Sequence, residues 1–458
     1  MFGDGPTDVT DTAAAGTRSA PTHFVLIAGT IGLASVIWFV VLSGWLGVVP
    51  GSVVVKRQNV LFNSDTNSWI DEMIHGHEPL AKAVHPLDGF FWRPPCQLLY
   101  RVFQAFLPSE RAGLLATRGV VALIAGTGVG FLALVALQNG IELTQCLLLF
   151  SMYLLFTSSS TIALPEHFGI SNGLLSIAFA APIVLANPTP RTAVLAALVP
   201  LCGGTTITNS LYPLGALYQY GVTSARTRRV ILAAAPVAIG LAVFLFADSL
   251  RVVLSWEAIL PRYVPGIGRV YAKTTMIHSH VLDYLNLRLL LHPRSAAVYA
   301  TYALVAPAVG PTPVVRRTTG RDMVTYESSG QPLRWSRFGV IGSDSLYVSA
   351  YWGLQAVGAV IWAVLLLYGT YHAVRDRSTR DRVWLPLGWI LFSIVLHNVW
   401  GDELFLYAPH WSWALMALVV LGARRLSRTA TALFVFPVVI CQVSTLVHIK
   451  RALLTIAQ

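Results

Sequence analysis

The sequence predicts an all-α polytopic membrane protein of about eleven transmembrane helices, with amphipathic helices along its outer face. Three observations carry this. Only 12% of the 458 residues are charged and 55% are hydrophobic, against roughly 25% charged in a soluble domain. That excludes a soluble globule. Uncharged runs such as 24–48 and 230–247 reach the roughly 20 apolar residues that a helix needs to cross a hydrocarbon core. The net charge of +11 sits in short clusters between the apolar runs rather than in one basic patch, so it reads as membrane topology and not as a nucleic-acid surface.

Taken in order, residues 1–22 form a polar tail with Asp4, Asp8 and Asp11 but only Arg18. It lacks the basic start of a cleaved signal peptide, so the first span is expected to be retained. Spans are expected near 24–48, 118–137, 143–163, 168–186, 191–205, 207–222, 229–248, 349–372, 383–399, 405–422 and 430–448. The pair at 191–222 is short, and Gly203-Gly204, Pro200 and Pro213 interrupt it. One of the two pieces is therefore a candidate re-entrant segment. The basic loops at Arg226 to Arg229, Arg375 to Arg382 and Arg424 to Arg428 are each two spans apart. All three then face one side, which the positive-inside rule makes the cytoplasm.

This divides the chain into a cytoplasmic tail (1–22), an N-terminal membrane module (23–248) that includes a first outer loop (49–112), a large outer segment (249–348) and C-terminal membrane helices (349–458). The first outer loop contains short amphipathic stretches broken by prolines, consistent with helices lying in the interface. In the second, MVTYESSGQPLRWS over 323–336 has two β-like pieces around Ser-Ser-Gly-Gln, a hairpin signal. The four cysteines, Cys96, Cys146, Cys202 and Cys441, show neither metal-ligand nor disulfide spacing.

Of the 21 carboxylates, all but the three of the tail and Glu142, Asp376 and Asp381 fall outside in this topology. Asp65 in NVLFNSDTNSWID follows the first span. It can serve as a base toward a hydroxyl if its surroundings tune it, or it can cap the helix that Ser64-Asp65-Thr66 would start. Glu166-His167 in ALPEHFG lies at a span end behind the hydroxyl run Thr157 to Thr161. The pair can hold an acceptor hydroxyl or a phosphate, or it can be an interfacial cap. Asp402-Glu403 with Tyr407 and His410 form a third set, Glu403 and Tyr407 being one helical turn apart. Arg93, beside Trp92, suits a phosphate, and His85 precedes it in HPLD. Asn209, with Thr206 and Thr208, is either a site residue or an interhelical hydrogen bonder.

The arrangement resembles the GT-C superfamily of integral-membrane glycosyltransferases. The resemblance rests on an acid in the first outer loop (Asp65 in NSDTNSWID), the amphipathic 68–110 stretch, a later acidic span end (Glu166-His167 in LPEHFG) and the large 249–348 segment. It implies a polyprenyl-phosphate-linked sugar as donor, a lipid, glycan or protein as acceptor, and Asp65 as the base. Ser-Asp-Thr stands where many members have paired acids, and the WWD-type motif of oligosaccharyltransferases is missing. Both departures point away from protein N-glycosylation. No cofactor is implied outright, and the resemblance leaves a divalent cation open.

The reaction so implied needs one proton removed from the acceptor hydroxyl and charge steadied on the departing phosphate. One base and no evident covalent nucleophile give a single displacement with inversion. Asp65 and Glu166 are the catalytic candidates, and His167, Arg93, His85, Asn209, Asp402, Glu403 and His410 the substrate-binding ones. The expected location is a bacterial inner membrane, with the site facing outward among membrane lipids. A transporter would place ionisable groups in mid-span, an O-acyltransferase would use an intramembrane histidine such as His397, and a noncatalytic scaffold would use neither.

Overall fold

The computed structural model describes residues 21–56, 66–76, 88–221, 300, 303–311, 314–317, 325–326, 332–333, 339–342, 351, 353–399 and 404–457. The chain begins with α1 (Thr22–Trp45), whose apolar side chains Leu26, Leu33, Ile37 and Val41 are more than half exposed. A helix with an apolar outer face needs lipid around it. Short helices α2 (Val53–Lys56), α3 (Thr66–Ile74) and α4 (Asp88–Phe91) lead into α5 (Arg93–Gln104), where Pro94 and Pro95 occupy the first turn that tolerates missing N–H groups. On α5, Leu98 and Val102 are exposed while Cys96 is buried. An interfacial helix has that distribution.

The centre is made by α6 (Ser109–Gln138), α7 (Leu143–Leu154), α8 (Ser159–Ile162) and α9 (His167–Val184). Helices α6 and α9 cross closely because Gly128 and Gly173 meet; a methyl group on Gly173 would collide with the Ile124 backbone. Small residues at a crossing are how helices pack tightly without a hydrophobic driving force between them. After α9, α10 (Pro188–Gly203) is capped by Asn187, whose side chain accepts from the Thr189 N–H at 3.0 Å. The chain returns through a 3₁₀ turn (Ile207–Ser210), α11 (Leu211–Ala216) and a π turn (Leu217–Gly221). The second half holds α12 (Leu354–Arg375), α13 (Arg380–Val399), α14 (Leu404–Tyr407), α15 (Pro409–Gly422) and α16 (Arg428–Ala457).

Among the described residues five helices are long and apolar enough to cross a membrane: α1, α6, α9, α12 and the part of α16 from Arg428 to Leu454. They match five of the eleven expected spans; of the other six, five are not long membrane-crossing helices among the described residues. The run expected as a span at 143–163 ends its helix at Leu154, because the hydroxyls from Ser159 to Thr161 turn back to local carbonyls. The pair expected at 191–222 is a 16-residue helix and a broken return, in line with its prolines and glycines. Helix α13 carries Arg380, Asp381, Arg382 and Pro386, and α15 has 14 residues. The run at 229–248 lies outside the described residues.

The basic turns gather at one end. Arg428 pairs with Glu142, and Arg424 pairs with Asp376, with Arg425 also within 3.8 Å of Asp376. Gln219 and Tyr220 donate to the Asp381 carbonyl at 3.0 and 2.8 Å. The turns after α6, α12 and α15 and the end of the broken return therefore share that end, as the expected common side requires; Arg226 to Arg229 lie outside the described residues.

The large segment expected outside contributes two antiparallel strand pairs. Strand β2 (Thr325–Tyr326) pairs with β3 (Pro332–Leu333), the expected hairpin, and β1 (Val314–Arg317) pairs with β4 (Gly339–Gly342). Residues 303–311 depart from the picture of a polar surface segment, since Ala303, Ala306, Ala308 and Val309 are fully buried. Their carbonyls accept from Trp411 Nε1 (2.9 Å, Ala303), Trp362 Nε1 (2.9 Å, Leu304), Gln442 Nε2 (3.1 Å, Ala308) and the Tyr351 hydroxyl (2.8 Å, Val309). Irregular backbone inside an apolar bundle must be satisfied in this way. The Thr157 hydroxyl accepts from the Gly310 N–H at 2.7 Å, so this part of the hydroxyl run anchors that segment.

Candidate functional site

At the end away from the basic turns, α9 and α15 both begin within one buried polar cluster. Their relative position is fixed by Asn172, which accepts from the Tyr153 hydroxyl at 3.0 Å and donates to the Pro409 carbonyl (2.8 Å) and Ser412 Oγ (3.0 Å). This ties the second turn of α9 to the start of α15 and brings His167 and His410 together, ring centroids 6.5 Å apart. Phe168 meets the His410 ring edge-on at 5.6 Å. His397, near the end of α13, is 6.2 Å from His410 and stacks on Tyr407 at 4.4 Å. Two helix N-termini carry partial positive charge, which suits an anion or an electron-rich oxygen.

Glu166 occupies the position before the first turn of α9, yet its side chain makes no cap bond there. Its Oε1 instead accepts from the Thr66 hydroxyl at 2.8 Å, and both residues are buried. The first residue of α3 is thereby held to the start of α9 across 100 positions of sequence. Asp65 is the residue before Thr66. Asp65, His85, Asp402 and Glu403 themselves lie outside the described residues, so of the acids expected to border one chamber, Glu166 is the one described.

Asn209 joins the cluster from the tip between α10 and the broken return. Its Nδ2 donates to Ser171 Oγ (3.0 Å) and Thr205 Oγ1 (3.1 Å), and its Oδ1 faces His410 Nδ1 at 3.0 Å. The interhelical bonding expected of Asn209 is therefore realised. His410 is also held by its backbone, whose carbonyl accepts from Trp389 and Trp413 indoles at 2.7 and 2.8 Å.

Arg93 is engaged differently. Its guanidinium pairs with Glu72 and also donates from Nε to the Glu72 carbonyl at 3.2 Å, so α5 is clamped to α3. Beside it, Asp88 accepts from Trp69 Nε1 at 2.9 Å through one oxygen, while its Oδ1 is buried and has no hydrogen-bond partner among the described residues. Burial pushes the Asp88 carboxyl well above the usual range; the Trp69 bond opposes this and the nearby Glu72 charge adds to it.

Sequence reading missed Ser171 and Thr205, and it took Thr66 only as part of a cap. Ser171 lies one helical turn after His167, a usable signal; Thr205 carries none, because its role depends on how the 203–211 tip folds back. Among the described residues no group of three or more His, Cys, Asp or Glu is placed to hold a metal ion. A small crevice lined by Phe179, Tyr212, Tyr220 and Arg382 shares no residue with the polar cluster. No protein-family model, curated protein or solved structure matches the chain.

Proposed function

We propose that the chain is a membrane glycosyltransferase that moves a sugar from a polyprenyl-phosphate donor to an acceptor hydroxyl at the outer face of a bacterial inner membrane. The observation that supports this most is the Thr66 to Glu166 bond, which joins the first-loop helix to a buried polar cluster at a helix start. In this reading Asp65 removes the acceptor proton as the acceptor oxygen bonds to the anomeric carbon. The bond from that carbon to the phosphate oxygen breaks on the opposite face, and the lipid phosphate leaves with the electron pair. Configuration at the anomeric carbon inverts. Glu166 orients the acceptor.

The phosphate falls to His167 and to the starts of α9 and α15, since Glu72 occupies Arg93. A lipid-bearing donor fits a bundle whose outer helices present apolar side chains to the membrane. The test is transfer by purified protein in lipid nanodiscs, given polyprenyl phosphates carrying different single sugars, with and without chelator. Asp65→Asn is expected to abolish transfer with donor binding retained, and Glu166→Gln to lower it at least 100-fold, within the range for a proton-handling or orienting group. Wild-type rates in Asp65→Asn would remove that residue from the reaction. Solute flux across sealed vesicles without any transfer product would favour the transporter reading.

A further inference from the structure

The crevice at the end of the basic turns is walled by three separate stretches of chain. The last turns of α9 give Phe179 and Ile183, α11 and the π turn give Tyr212 and Tyr220, and the start of α13 gives Arg382 and Leu385; the rest of its lining is apolar. Tyr212 stands edge-on to Trp389 at 5.6 Å and to Trp413 at 4.7 Å, which fix the ring, and it is 2% exposed. Its hydroxyl has no hydrogen bond among the described residues, yet it is not sealed in protein. It therefore opens on the crevice. A hydroxyl set so deep costs free energy until something accepts from it. The Tyr220 hydroxyl is already used, donating to the Asp381 carbonyl at 2.8 Å. The Arg382 side chain, by contrast, makes no hydrogen bond or ion pair among the described residues. The neighbouring carboxylate of Asp381 lies toward Arg380 at 3.8 Å and does not line the crevice.

One hydroxyl and one guanidinium thus converge on a space whose lining holds no carboxylate, a donor pattern that suits a phosphate. The enclosed part of the crevice is about 10 Å³, room for a single oxygen-sized group. The bulk of the ligand must stay at the mouth. On the same helix as Arg382, Trp384 and Leu391 are more than half exposed, the arrangement of a helix meeting lipid with an indole at the headgroup level. We infer that the crevice holds the phosphate of an anionic phospholipid from the leaflet on that side, one phosphate oxygen accepting from Tyr212 and the others facing Arg382. Arg424, Arg425 and Arg428 at the same end oppose a headgroup that carries its own ammonium, so a net-anionic headgroup is preferred to a zwitterionic one. The site shares no residue with the polar cluster and does not depend on the glycosyltransferase reading.

The test is native mass spectrometry of the full-length protein in detergent, titrated with dioleoylphosphatidylglycerol, with dioleoylphosphatidylcholine, and with the first lipid in the presence of inorganic phosphate. The first lipid to bind should be phosphatidylglycerol, about tenfold tighter than phosphatidylcholine, and an excess of inorganic phosphate should not displace it. Tyr212→Phe keeps the ring packing and removes only the hydroxyl. The lipid-free variant should therefore unfold at the wild-type temperature, while its affinity for phosphatidylglycerol falls about tenfold. Arg382→Gln should lose affinity to a similar degree and lose the headgroup preference with it. Arg377→Gln, exposed at the same end but outside the crevice, should keep both. Equal binding of the two lipids by the wild type, or wild-type affinity in Tyr212→Phe, overturns the inference. Displacement by inorganic phosphate also overturns it, assigning the crevice to a free anion. Should Arg382→Gln fail to fold, Tyr212→Phe decides the matter alone.

Discussion

Thr66 and Glu166 are joined by a buried 2.8 Å hydrogen bond that spans 100 residues of sequence. A hydroxyl donating to a buried carboxylate contributes about 1.5–3 kcal/mol. Thr66→Val is expected to lose roughly that much stability by thermal or denaturant unfolding and, on the proposed glycosyltransferase reading, to reduce transfer more than about tenfold. Thr66→Ser keeps the donor and should restore both. A Val variant with wild-type stability and rate would show that the bond has no role in holding α3 to α9.

Asp88 gives a pH signature. Its folded-state carboxyl is raised by burial, so the stability it contributes as the neutral acid is present at low pH and lost as pH rises through the raised value. Asp88→Asn keeps an acceptor for Trp69 and removes the charge, and should make the protein more stable than wild type at pH 8 by about 1–3 kcal/mol. Asp88→Leu strands the Trp69 indole and should destabilise at all pH values. Denaturant unfolding at pH 5 and pH 8 checks both, and an Asn variant with unaltered pH dependence would refute the assignment.

Gly173 and Gly422 set two close crossings. A methyl group on Gly173 would strike the Ile124 backbone, and one on Gly422 the Gly369 backbone. Backbone cannot step aside as a side chain can. Gly173→Ala and Gly422→Ala should each cost about 1–3 kcal/mol, the range for overpacking a close-packed site, whereas Gly388→Ala, with open space around it, should be close to neutral. Thermal inactivation of the three purified variants decides this.

Glu142 lies at the turn between α6 and α7, and its pairing with Arg428 holds the carboxyl below the usual range, chiefly through the hydrogen bond. That contribution is present above the ordinary carboxylate value and fades as pH falls below it. The pair is exposed, so Glu142→Gln should have a small effect that disappears at high salt. An effect that grew with salt would contradict a surface ion pair.

Ser378 and Ser427 are exposed at the end where the basic turns meet, and Ser109 is exposed at the start of α6. The native cysteines are buried, so single cysteines at these positions report cleanly. A membrane-impermeant maleimide should label Ser378→Cys and Ser427→Cys only from the cytoplasmic side, and Ser109→Cys from the other. Labelling of the first two from opposite sides would break the shared end.

The sequence alone determined the class of molecule. Apolar runs of sufficient length and the low charge fraction suffice for α1, α6, α9, α12 and α16, because transfer into hydrocarbon depends on composition summed along a helix. It also marked Glu166, His167, Asn209 and His410 as polar groups at span ends. Tertiary structure decided what those groups do. That Glu166 bonds Thr66 rather than capping its own helix, that Arg93 is held by Glu72, and that Asn209 meets both Ser171 and His410 all depend on contacts between distant parts of the chain. Hydrogen bonds act over about 3 Å, and no spacing along a sequence encodes which remote donor arrives at that distance; packing of α9 against α15 through Asn172 does.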